Sequence, residues 1–200
     1  SAAACADSSS RSADEIFPFE TRHVSLDNGF NAYLIRAGAP GEVALISNVR
    51  TGARDEVEIG RTGYAHFFER MMFRGTARYP DYDQVTSRIG AACGAFTSDD
   101  MTVYHLVAAS EHLEQMMDLE ADRFQNLSYS EAAFRTEAGA ILGEYPQGAL
   151  SPGDFLDREL RLAAYDRHTY RHQAIGFEAD VRAMPEGYQY SRSFFRRFYR

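Results

Sequence analysis

Residues 61–76 carry the pattern that most restricts what this chain can fold into. The stretch reads Arg-Thr-Gly-Tyr-Ala-His-Phe-Phe-Glu-Arg-Met-Met-Phe-Arg-Gly-Thr. His66 and Glu69 are three positions apart, and Arg70 lies four positions after His66, so all three side chains share one face of a helix. The aromatic residues and methionines between them predict that the remaining faces pack into a core.

The spacing of His66 and Glu69 matches most of a known metal-binding pattern. In the inverted zinc-hydrolase helix, His-x-x-Glu-His, two histidines bind zinc and the glutamate between them acts as general base. This chain has Arg70 where the pattern requires the second histidine. A lone His66 is more often a histidine packed in a core, so the surrounding sequence has to decide its role.

Composition excludes several other classes of function. The chain has 200 residues and 44% hydrophobic content, enough for a sizeable core in one large domain or two small ones. Its formal net charge is −8, and no basic stretch offsets it, which argues against a nucleic-acid partner. No apolar run approaches the roughly 20 residues needed to cross a bilayer.

Residues 1–16 are small and polar and predict a disordered tail or a lipoprotein-like linker. The run Ala-Ala-Ala-Cys before a serine-rich segment resembles the end of a bacterial lipoprotein signal, with Cys5 as the site of a lipid anchor. A processed tail is the alternative, and both stay open. Either origin fits an exported protein, so we expect the bacterial periplasm or cell envelope.

From residue 17 to residue 200 the pattern predicts one α+β domain, a sheet packed by several helices. Alternating apolar residues indicate strands over 19–26, 31–36 and 43–50, and a hairpin over 95–98 and 101–108. A loop of small residues is expected over 90–94. Helical spacing and caps indicate the motif helix and further helices that begin at Asp81, Ser110, Ser130, Ser151 and Gly187.

Two further carboxylates can supply a missing zinc ligand, since glutamate is a suitable one. Glu137 and Glu144 are seven residues, about two turns, apart on the helix predicted from Ser130, so they share a face. His168 and His172 also lie four positions apart, but the sequence suggests no carboxylate partner for them. We therefore do not assign that pair to a metal.

Taken together, these motifs resemble those of the pitrilysin/insulinase-family metallopeptidases, the inverted zincins. The resemblance covers about residues 17–200 and implies a metallopeptidase-like α+β fold of the LuxS/MPP type. The matching segments occur in the family's order: Asp27-Asn28-Gly29, Gly52-Ala53-Arg54-Asp55-Glu56, 62–69, Met72-Phe73-Arg74-Gly75-Thr76, Ala95-Phe96-Thr97-Ser98, Glu137, Glu144, Gly176-Phe177-Glu178 and 195–199.

The resemblance implies a role for each candidate residue. His66 and Glu144 correspond to zinc ligands, and Glu69 to the catalytic base that activates the metal-bound water. Glu137 corresponds to an acidic residue that supports catalysis from outside the metal's own ligands. The edge strand on which the family lays an extended peptide substrate corresponds to three residues, Ala95, Phe96 and Thr97.

Two departures from the family pattern affect function. The guanidinium of Arg70 stays protonated in proteins, so a fixed positive charge replaces a zinc ligand. We expect weak or no zinc binding, and a charge-assisted contact from Arg70 to Glu69, Glu137 or Glu144. The chain also ends where the family continues with a final strand and a second homologous half.

Two functions are therefore predicted. The first is a metalloendopeptidase-family domain with a defective zinc site, a pseudoenzyme that binds peptide or serves as a non-catalytic partner subunit. The second is an active zinc metalloendopeptidase that cleaves extended peptides and tolerates Arg70. Both imply a peptide ligand and a second homologous half or partner subunit.

Overall fold

The computed structural model describes residues 17–38, 40–148 and 151–199. These residues fall into two compact units, which divide between Pro40 and Gly41. The predicted tail over residues 1–16, with the anchor site Cys5, lies outside the described residues.

The first unit is an antiparallel hairpin of β1 (Thr21–Ser25) and β2 (Asn31–Ile35). Gly29 in the connecting turn has a φ of +87°, which glycine adopts without a steric cost. The prediction of two strands joined by a turn is confirmed.

The second unit contains a three-stranded antiparallel sheet. Its strands are β3 (Glu42–Val49), β4 (Ala92–Thr97) and β5 (Thr102–Ala109), in the order β3-β5-β4. The prediction that 90–94 is a loop is wrong in its second half, because β4 already begins at Ala92. Ala92 pairs with Val107, and this ladder compensates for the weak strand preference of small residues.

Seven helices are described: α1 (Tyr64–Met71), α2 (Tyr82–Arg88), α3 (Leu113–Asn126), α4 (Glu131–Gly148), α5 (Pro152–Ala164), α6 (Glu178–Ala183) and α7 (Tyr188–Phe198). The Asp81 carboxylate caps α2 by accepting the Gln84 N–H at 2.9 Å, as predicted. α3 begins three residues later than predicted, because Ser110–His112 form a 3₁₀ turn. None of the described helices is long and apolar enough to cross a membrane.

The main core forms around α1, which is buried on every face except the one that carries His66 and Arg70. Phe68 lies at the centre of this core, stacked on Phe194 of α7 with ring centroids 5.7 Å apart. Phe67 packs against Phe134 of α4 at 4.9 Å. The α+β prediction is confirmed, and the sheet and helices hold α1 firmly while its polar face stays open.

Candidate active site

The start of α1 is fixed by a buried carboxylate. Both oxygens of Glu56 accept backbone hydrogen bonds, from the N–H of Gly63 at 2.8 Å and from that of Ala65 at 2.7 Å. These are donors that a helix leaves unpaired at its first turn. Burial raises the pKa of Glu56 to about 8, although the backbone hydrogen bonds act against this rise.

Two glycines bring the start of α1 against a neighbouring loop. A Cβ on Gly63 would lie 2.7 Å from the carbonyl oxygen of Ile175, and a Cβ on Gly176 would lie 2.7 Å from the nitrogen of Gly63. The Thr62 hydroxyl beside them donates to Asp180 at 2.7 Å. A larger residue at either glycine position would force the backbone to shift, so these two glycines allow the close approach of α1 to this loop.

His172 lies beside this junction and is buried. Its Nδ1 is 3.8 Å from Oε2 of Glu56, a neighbouring carboxylate that the sequence did not suggest. Burial lowers the pKa of His172, which favours the neutral imidazole. We assign this pair to the packing around α1.

On the open face of α1, His66 points toward Glu144 of α4. The His66 side chain is 18% exposed, and its Nε2 lies 3.7 Å from Oε2 of Glu144. Its Nδ1 is buried and has no hydrogen-bond partner among the described residues. The structure thus brings the two predicted zinc ligands together.

Arg70, one turn along α1, lies between two glutamates of α4. Its Nε donates to Oε1 of Glu137 at 2.5 Å, and its Nη1 donates to Oε1 of Glu144. Desolvation lowers the pKa of Arg70, but the hydrogen bond to Glu137 and the two negative charges outweigh it and raise that pKa overall. The predicted charge-assisted contact is confirmed.

Arg74 is a member of the site that the sequence motifs did not indicate. Its Nε donates to Oε2 of Glu137 at 2.7 Å, so the Glu137 carboxylate receives a guanidinium on each oxygen. Glu137 is only 2% exposed, and its burial raises its pKa, but the two arginines lower it further than burial raises it. The available signal was weak, because Arg74 lies four positions after Arg70 but follows the end of α1, in a 3₁₀ turn over Met72–Arg74.

The candidate base, Glu69, is held by the edge strand. The Thr97 hydroxyl of β4 donates to Oε2 of Glu69 at 2.6 Å. Ala95 of the same strand packs against the main core. Phe96 points to the other face of the sheet and is 50% exposed, so it does not contact the site around Glu69.

A catalytic zinc takes three protein ligands, so the side chains of this site would have to supply three donor atoms to one metal ion. Ligand atoms on one tetrahedral zinc lie roughly 3.4 Å apart, so the separation of 3.7 Å between His66 and Glu144 fits. The third position holds Arg70, whose guanidinium has no lone pair to donate. Nowhere in 17–38, 40–148 or 151–199 do three His, Cys, Asp or Glu side chains group closely enough to hold a metal ion. The donor set present does not fit a three-ligand zinc.

The sequence and fold of this chain are similar to those of known proteins. The model of the insulinase family, peptidase family M16, matches residues 42–176, more than half of the chain. "Uncharacterized zinc protease YmxG" of Bacillus subtilis is 29% identical over 160 residues, 78% of this chain and 39% of that protein. The beta subunit of the mitochondrial-processing peptidase of Bos taurus is 30% identical over 168 residues, 82% of this chain and 34% of that protein.

A solved protease structure from Helicobacter pylori shares the fold, with a TM-score of 0.87 at 24% identity over 92% of this chain and 44% of that one. This chain thus spans less than half the length of these relatives. The family model covers α1, the sheet and α4, which together carry the site. The chain is a zinc-protease-like domain and belongs to the insulinase family, peptidase family M16.

Proposed function

We propose that this chain is a non-catalytic, peptide-binding member of its family, in which Arg70 replaces the electrostatic role of the zinc. The observation that carries the proposal is the guanidinium of Arg70, which donates to both Glu137 and Glu144 at the third ligand position. A cation at this point balances the carboxylates that a metal would otherwise balance. The fold is kept while the metal chemistry is lost.

The edge strand β4 supports the peptide-binding part of this proposal. Within the described residues, β4 pairs with β5 on one side, and no strand pairs with its other side. Such an edge presents unpaired N–H and C=O groups, which an extended peptide can pair with as an added strand. Thr97 at the end of β4 lies beside Glu69, so a bound peptide would pass the site.

Similarity to a subunit supports a partner. The mitochondrial-processing peptidase relative is named as a beta subunit, and therefore belongs to an assembly. A domain without its own chemistry contributes a surface for peptide and for a second, homologous chain or half. We propose such a partner for this chain.

Zinc content tests the proposal directly. We expect wild-type protein, dialysed against trace zinc, to hold far less than one equivalent by elemental analysis. Arg70→His supplies the missing imidazole beside His66 and Glu144, so zinc should rise to near-stoichiometric. Arg74→His is the matched control, because it places a new histidine four positions beyond the third ligand position, after the end of α1, and it should gain no zinc.

One outcome would count against this function, and a second would count against the role given to Arg70 alone. Near-stoichiometric zinc in the wild type, with peptide hydrolysis that a chelator stops, would instead favour an active zinc metalloendopeptidase. Failure of Arg70→His to gain zinc would mean that more than one residue separates this site from a metal site.

A further inference from the structure

His105 of the central strand β5 reaches across the sheet to its open edge. In the register of the sheet, Ile46 of β3, His105 and Gly94 of β4 lie side by side. A Cβ built on Gly94 would lie 2.7 Å from Cε1 and 3.0 Å from Nε2 of His105. The imidazole therefore occupies the space where a side chain of the edge strand would stand.

This position matters for any strand that adds to β4. An added strand lies about 4.8 Å away, and residues directly opposite each other point to the same face with Cβ atoms about 5 Å apart. The peptide residue opposite Gly94 would find no side chain on β4 itself. It would meet the His105 imidazole in that place.

The surroundings of His105 favour a polar contact with the peptide. Its neighbours on this face are mostly apolar, with Ile46 and Phe96 both at least half exposed. No hydrogen bond joins the imidazole to another residue in the described part of the chain. Among the side chains that β3, β4 and β5 place on this face, the other titratable one is Glu42, at the far end of β3.

We infer that His105 selects an acidic side chain, aspartate or glutamate, at the peptide position opposite Gly94. The inference rests on the proposed function, since it needs a peptide strand on β4. An imidazole N–H donates to a carboxylate whether the ring is neutral or protonated, and a charged acceptor strengthens the bond.

A peptide scan tests this selectivity. The probes are fluorescein-labelled nonapeptides of alternating threonine and serine, with one residue at a time replaced by aspartate, asparagine, leucine or lysine. Fluorescence anisotropy with the full chain measures their binding. We expect aspartate at one position to bind about fivefold to tenfold more tightly than asparagine or leucine there.

Three variants separate selectivity from folding. His105→Phe keeps a ring but removes both nitrogens, and should abolish the preference for aspartate while the leucine peptide binds as before. Gly94→Ala keeps His105 but displaces the ring, and should have the same effect. His112→Phe, on a histidine outside the sheet, should keep the wild-type preference.

The outcomes for the two proposals differ. If no probe binds to the wild type, both the peptide-binding function and this inference are overturned. If peptides bind and Ala95→Pro on the edge strand weakens them, the function is supported. A wild type without a preference for aspartate, or a preference that survives His105→Phe, would then overturn the inference alone.

Discussion

Two buried glutamates serve the two ends of α1 and differ in how their charge is balanced. Glu56 has no exposed side-chain surface and accepts hydrogen bonds from backbone N–H groups at the start of the helix. Glu137 is 2% exposed and accepts from the guanidinium groups of Arg70 and Arg74 near its end. Burial raises the pKa of Glu56 to about 8, whereas the two arginines hold the pKa of Glu137 below its ordinary value.

The difference shows what each kind of partner can achieve. Backbone N–H groups are partial charges, which do not fully offset the desolvation of a carboxylate, while two guanidinium cations do. The signs of the pH dependence are therefore opposite. Glu56 stabilises the folded state at low pH, and this contribution is lost as pH rises toward about 8. Glu137 stabilises the folded state above its ordinary pKa, and this contribution is lost as pH falls.

The largest expected effect comes from removing both cations at the Glu137 end. Arg70→Ala or Arg74→Ala alone leaves one guanidinium on Glu137, so each should cost about 1 kcal/mol of unfolding free energy. The double variant leaves a buried carboxylate without a cation and should cost about 3–5 kcal/mol, more than the sum of the single changes. Urea denaturation of the four proteins measures this.

The same four proteins test the sign argued for Glu137. Without either arginine, burial alone remains to shift its pKa, so the pH dependence contributed by this group should reverse its direction. If the losses of unfolding free energy in the two single variants simply add in the double variant, and the pH dependence of stability is unchanged, the charge of Glu137 is not balanced by the arginines. The contrast with Glu56 would then be wrong.

An intermediate effect is expected at the other end of α1, from its tight backbone packing. Gly63 has a φ of +91° and would place a Cβ 2.7 Å from the Ile175 oxygen, whereas Gly60 has a φ of +75° with nothing within 4 Å of a Cβ. Both alanine variants bear the cost of a left-handed backbone, about 1–2 kcal/mol. Gly63→Ala adds backbone displacement and should reach about 2–4 kcal/mol. Equal thermal stability of the two variants would refute the close junction.

Local signals predicted much of the fold. Asp81, Ser130 and Ser151 each cap the first turn of a helix through a side-chain oxygen. The turn at Gly29 joins two strands as its sequence requires. These features depend on residues within a few positions of each other. α6 was missed, because its six residues are too few to show a helical period.

The site was predicted only where helical spacing determines it. The four-residue step from His66 to Arg70 placed the guanidinium toward the glutamates of α4. Arg74 lies beyond the end of α1, in the 3₁₀ turn Met72–Arg74, so the spacing of α1 does not determine that its side chain pairs with Glu137. The role of Glu56 was missed for a related reason, since it caps α1 from a loop outside the helix.

The smallest expected change tests the protonation of Glu56. At about pH 5, below its raised pKa, Glu56→Gln replaces one neutral group by another and should cost about 1 kcal/mol, because the amide nitrogen cannot accept the second N–H. Between its ordinary value of 4.5 and about 8, the folded wild type holds a proton that the unfolded chain has lost, so its stability falls by up to about 1.4 kcal/mol per pH unit. The variant cannot titrate there and should lack this slope, as thermal melts across the range would show.

Glu111→Gln, on an exposed side chain, controls for the loss of one negative charge and should keep the wild-type slope. If Glu56→Gln also keeps the wild-type slope, the backbone N–H groups hold Glu56 ionised in the folded protein. The dipoles at the start of α1 would then keep a buried carboxylate ionised as well as the two arginines do near its end.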